Sequence, residues 1–118
     1  MLKKIYNEVT REWDSSVEEA LKSFIRLPAL SPDFDKKWEE NGVLLKALEE
    51  AKAWAEKQGI KGLRCEIIKD DGFTPCLFIE VDATSDKKFE RSVFFYGHLD
   101  KQPPNEGWDP DKSLFHFD

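Results

Sequence analysis

Over the first 25 positions Leu2, Ile5, Tyr6, Val9, Trp13, Val17, Ala20, Leu21, Phe24 and Ile25 recur mostly three or four residues apart, with charged side chains between them. That spacing predicts an amphipathic helix burying one stripe, because positions three and four apart share a helix face. The stretch Asp14-Ser15-Ser16-Val17-Glu18-Glu19 offers capping-box spacing, Ser15 to Glu18 or Ser16 to Glu19, so the pattern fits one helix or two. Leu27-Pro28-Ala29-Leu30-Ser31-Pro32-Asp33 ends the segment, since each proline lacks a backbone donor and drives the residue before it out of the helical region.

A second helix is expected from about Lys37 or Asn41 to Gln58, with Val43, Leu44, Leu48, Ala51, Trp54 and Ala55 on its buried face and Gly59 as its stop. The period then changes to two. Leu63, Cys65 and Ile67 alternate with Arg64 and Glu66, and after Asp70-Asp71-Gly72 the run Cys76-Leu77-Phe78-Ile79-Glu80-Val81 is strand-like, so a hairpin is expected. Ala83 to Glu90 is a polar connection. Val93-Phe94-Phe95-Tyr96 is continuously apolar, which predicts a strand covered on both faces and parallel to a neighbour. Helices first, strands after and a doubly covered strand last predict an α/β layered domain, two helices followed by a mixed β-sheet. The chain reaches Ser113-Leu114-Phe115-His116-Phe117-Asp118 without the helices that would cover the second face of such a sheet, so it is expected to be the opening part of a larger domain.

Composition narrows the function classes. The 118 residues carry 18 Lys+Arg against 24 Asp+Glu, a formal charge of -6, which disfavours a general nucleic-acid binder that must displace counterions from phosphates. No apolar run approaches the roughly 18–20 residues of a spanning helix, and the 13% aromatic content argues against a disordered chain. The mixed charged and apolar start, Met1 to Glu8, has no secretion-signal character, so a cytoplasmic protein without membrane attachment is expected. Cys65 and Cys76 are read first as reduced core residues; a disulfide, a cross-strand contact or a reactive thiol are the other options. Charge-rich stretches such as Glu18-Glu19 and Lys36-Lys37 with Glu39-Glu40 read as solvated helix faces, and Trp13, Trp38 and Trp54 as core or half-buried residues.

No phosphate-cradling glycine loop, nucleophile elbow or Cys-x-x-Cys pair is present. What remains is Tyr96-Gly97-His98-Leu99-Asp100-Lys101-Gln102-Pro103-Pro104, directly after the apolar run. Loops at the carboxyl ends of strands are where open α/β sheets collect ligands. Imidazole is a common zinc ligand, and a ligating His usually needs a carboxylate or carbonyl on its other ring nitrogen. In an extended His-x-Asp segment both side chains point to the same side. By chemistry alone the pair fits a metal site or a hydrogen-bonded structural histidine.

Val93-Phe94-Phe95-Tyr96-Gly97-His98-Leu99-Asp100-Lys101-Gln102-Pro103-Pro104, with Gly107-Trp108-Asp109-Pro110-Asp111 after it, resembles the first metal-site motif of the metallopeptidase-20 family, which includes aminoacylases, carnosine dipeptidases, glutamate carboxypeptidases and succinyl-diaminopimelate desuccinylases. Phe24 to Ser31 resembles that family's early helix-to-loop segment and Asn41 to Gly59 its second helix, and the Gly-His-Leu-Asp-Lys-Gln-Pro wording is nearest the dipeptidase branch. The resemblance implies that this chain is the N-terminal part of a zinc-peptidase catalytic domain, covering the first quarter to third of a member. It implies metal-assisted hydrolysis of a dipeptide or N-acyl amino acid at a two-zinc site, with His98 as a zinc ligand and Asp100 as the catalytic-site carboxylate that orients and polarises it. The bridging Asp, the Glu general base and the remaining ligands would lie beyond Asp118, and His116 is left unassigned because Ser113-Leu114-Phe115 departs from the family pattern. Alone, the chain is then expected to bind zinc weakly, to hydrolyse nothing and to self-associate through uncovered sheet surface. The other readings are a non-catalytic α/β binding or dimerisation module derived from that fold, and a small α/β domain with a structural His98.

Overall fold

The computed structural model describes residues 1–84 and 91–107. They belong to two compact units, Met1–Pro28 with the residues from Pro104 onward, and Ala29–Pro103.

In the first unit α1 (Leu2–Glu12), a π-helical turn (Trp13–Val17) and α2 (Glu18–Arg26) follow one another without a break. The backbone stays right-handed helical through Glu12, Val17 and Glu18, and α2 has no side-chain cap, so the serines do not start a second helix. Instead the Glu18 N–H donates to the carbonyl of Trp13, five residues back, which accommodates one extra residue in the turn. The physical reason lies in the pattern. From Val9 to Ile25 the stripe advances by four residues at each step, and in a uniform helix four such steps would drift by about 160°. One extra residue takes back about 100°, so the π turn keeps the apolar positions on one side. Glu8 and Glu12 pair with Arg11 on the charged side, and Lys22 lies 2.9 Å from Glu18 and 3.2 Å from Glu19. These two partners raise the Lys22 ammonium above its ordinary value. Leu27 turns extended before Pro28, where the sequence places the stop.

No residue of α1, the π turn or α2 is buried, which corrects the expectation of a buried stripe. Trp13, expected in or near a core, is 46% exposed. A single helix can bury a face only against a second layer, and among the described residues this unit has no other element.

The second unit contains α3 (Trp38–Asn41), α4 (Val43–Lys57), β1 (Leu63–Ile68) and β2 (Cys76–Val81). The second helix begins in two pieces because Gly42 sits at φ +67°, a left-handed conformation in which L side chains are strained. Asn41 stabilises the step: its side-chain oxygen accepts the Val43 N–H at 3.0 Å, and its amide donates to Asp35, whose other oxygen accepts the Lys37 N–H at 2.9 Å. Gly59, at φ +65°, follows the end of α4 as expected. Leu44, Ala47 and Leu48 form the buried face of α4, with Val43, Ala51 and Ala55 half-buried beside them; Ala47 replaces Trp54, which is exposed.

β1 and β2 pair antiparallel, with Leu63, Cys65 and Ile67 directly opposite Val81, Ile79 and Leu77, so these six side chains share one face of the hairpin. α4 packs mainly on β1, whose residues alternate half-buried and exposed; on β2 only Leu77 is half-buried. The hairpin turn spans residues 69–75, longer than a two-residue Asp-Gly turn, with the Phe73 N–H on the Asp70 carbonyl at 3.1 Å. The cysteines are free thiols, but Cys76 is exposed rather than core, and the register sets Cys65 opposite Ile79 and Cys76 opposite Ile68, not opposite each other.

Val93–Tyr96 departs furthest from expectation. It is not a strand, has no parallel neighbour among the described residues, and its four side chains are 79–88% exposed. Four consecutive apolar residues specify cover on both faces, but within this unit the described layers are the hairpin and the helix that already covers β1. The sheet among the described residues is therefore two-stranded and antiparallel rather than mixed. Most of the polar connection from Ala83 to Glu90, and everything from Trp108 on, including His116, lies outside the described residues. Helices with a small antiparallel sheet make this a mixed α/β chain, and among the described residues no helix is long and apolar enough to cross a membrane.

Candidate functional site

The candidate segment is fixed at one point. The Lys101 N–H donates to the Ala29 carbonyl at 2.8 Å and the Ser31 N–H to the Lys101 carbonyl at 2.9 Å, a parallel bridge that pairs Leu30 with Lys101. Ala29 is completely buried there. Pro28 and Pro32 bracket the receiving strand-like stretch and keep it out of helix, which leaves its backbone groups available for pairing. Lys101 is half-buried; desolvation pulls its ammonium below the ordinary value, against the opposing pull of the Glu50 carboxylate on α4.

One residue upstream of this anchor, His98 and Asp100 come together. His98 Nδ1 lies 3.2 Å from Asp100 Oδ1 and 3.1 Å from the Asp100 carbonyl oxygen. Both neighbours are pure acceptors, so Nδ1 carries the proton and donates, and in the neutral ring Nε2 holds the lone pair. The His98 side chain is 70% exposed and that of Asp100 41%, which places the pair at the surface rather than among apolar side chains.

A carboxylate on one ring nitrogen is what a metal-ligating imidazole generally has, and equally what a hydrogen-bonded structural histidine has. Zinc takes three or four protein ligands, and among the described residues no group of three or more His, Cys, Asp or Glu side chains could hold a metal ion. The residues present thus fit a ligand with its orienting partner and not a complete metal centre.

The His-x-Asp spacing made the pair visible in the sequence. The clamp from Ala29–Ser31 was not visible, because it joins segments about 70 residues apart in the chain; the two prolines flanking Ala29–Ser31 are the signal that could have marked an extended stretch awaiting a partner. No protein-family model matches the chain, and comparison with curated proteins finds no match.

Proposed function

We propose that this chain is the N-terminal part of the catalytic domain of a zinc-dependent dipeptidase or related amide hydrolase similar to the metallopeptidase-20 family. The observation that carries the reading is the His98 Nδ1 contact with Asp100 Oδ1 at 3.2 Å, in a segment whose wording resembles that family's first metal-site motif.

In this reading His98 presents Nε2 to one zinc and Asp100 holds the ring in the tautomer that leaves Nε2 free. Zinc, when bound, supplies Lewis-acid polarisation of the scissile carbonyl. The Lys101 bridge to Ala29 and Ser31 limits how far the pair can move, so that the ligand is held before metal arrives. The proton acceptor and the other ligands come from residues outside this chain, and the chain alone is inactive.

The test is hydrolysis by the full-length protein. Dipeptides and N-acyl amino acids are offered with zinc present and after chelation; zinc-dependent cleavage of either class is expected, and a full-length protein that cleaves neither, with zinc supplied, overturns the proposal.

A further inference from the structure

Of the three asparagines, Asn7, Asn41 and Asn105, Asn41 alone precedes a glycine. An Asn-Gly pair is open to attack by its own backbone, since glycine has no Cβ to shield the peptide nitrogen or restrict its approach. The Gly42 nitrogen adds to the side-chain carbonyl carbon of Asn41 and loses its proton, the bond from that carbon to the amide nitrogen breaks, and ammonia leaves a five-membered succinimide. Water then opens the ring at either carbonyl, giving an aspartyl or an isoaspartyl residue at position 41.

The folded chain holds Asn41 away from this reaction. Asn41 is the last residue of α3, with its N–H on the Lys37 carbonyl at 3.0 Å. Ring closure requires the Cα–Cβ bond to eclipse the bond to the next peptide nitrogen, and helical ψ, about −42°, keeps the two apart. The side chain is tied at both of its polar atoms: the oxygen accepts the Val43 N–H at 3.0 Å, and the amide nitrogen donates to Asp35 Oδ2. Asp35 is braced in turn, because its Oδ1 accepts the Lys37 N–H at 2.9 Å. Neither burial nor crowding contributes, since Asn41 is exposed and a Cβ added at Gly42 would meet nothing within 4 Å. The protection rests on hydrogen bonds.

We propose that Asn41–Gly42 is a latent deamidation site, guarded by Asp35 and the Val43 N–H, and that its reaction releases the step between α3 and α4 in one direction. Once position 41 carries a carboxylate it meets Asp35 with a like charge and no donor, so the guarding contact does not re-form. The isoaspartyl product also adds one carbon to the backbone ahead of Gly42. This inference is independent of the zinc-peptidase reading.

Peptide mapping by mass spectrometry of the 118-residue chain, aged in mildly alkaline buffer, tests it, and the same chain in urea gives the unguarded rate. Deamidation at Asn41 is expected to be about tenfold or more slower in the native chain than in urea, the factor carried by one hydrogen bond to a charged group. Asp35→Ala is expected to raise the native rate about fivefold or more while circular dichroism shows the helix content retained. A second measurement needs no variant: in the aged wild type, amide hydrogen exchange at Val43 is expected to be faster in converted chains than in unconverted ones. A native rate within about twofold of the urea rate overturns the proposal. So does an Asp35→Ala chain that keeps its helix content and deamidates no faster than the wild type, or equal exchange at Val43 in converted and unconverted chains.

Discussion

Leu48→Ala probes whether the small core of the second unit lies where α4 meets the hairpin. Leu48 is 8% exposed and shares its face with Leu44 and Ala47. Truncation removes roughly three methylene equivalents from an apolar setting at about 0.8 kcal/mol each, or about 2.4 kcal/mol. A rigid surround would add a cavity cost, but half-buried Ala51, Cys65 and Ile67 along the packed faces have room to settle inward, so the total is expected near the low end for such changes, about 2.5–3.5 kcal/mol. A unit of this size has about 4–10 kcal/mol to lose. Urea unfolding followed by circular dichroism should show the midpoint falling by about 2 M at an unchanged slope. Leu21→Ala on the exposed stripe of α2 is the matched control, expected to cost under about 1 kcal/mol in the monomer. A Leu48→Ala cost below about 1 kcal/mol, or equal costs for the two, would refute this placement of the core.

Other outcomes follow from particular contacts. Gly62→Ala forces a side chain onto φ +79° with its Cβ 2.9 Å from the Cβ of Asp82, and should cost about 1–3 kcal/mol in the same urea assay. Ser31→Pro removes the donor to the Lys101 carbonyl; amide hydrogen exchange should quicken at Lys101 while α4 keeps its protection, and unchanged exchange there would discredit the clamp. Nitrogen-15 NMR of neutral His98 should show the proton on Nδ1, and Asp100→Ala should shift it toward the Nε2–H tautomer; an Nε2–H ring in the wild type contradicts the hydrogen-bond assignment.

Local signals carried the helices and the hairpin because their causes are local. The prolines at 28 and 32, Gly59 and the change of period after it each act within a few residues, and the structure follows them. The π turn was half legible: the pattern marked Asp14–Glu19 as irregular, but an extra helical residue and a fresh cap look alike in sequence. Burial was the least legible quantity, because an apolar side chain states what it needs and not what will be near it. Trp13, Trp54, Cys76 and Val93–Tyr96 all read as interior positions and all are exposed among the described residues. At the candidate site, spacing placed His98 and Asp100 on the same side, and the two do meet; the backbone hold on Lys101 next to them comes from a segment distant in the chain.

The most direct measurement of the central claim is zinc content and dipeptide hydrolysis of the full-length protein carrying His98→Ala or Asp100→Ala. Loss of a ligand at His98 is expected to abolish hydrolysis and lower the zinc bound per chain, whereas loss of the orienting carboxylate at Asp100 is expected to lower metal affinity or activity by about 10–100-fold. Full activity with full zinc occupancy in the His98→Ala protein would contradict the assignment of this pair to a metal site.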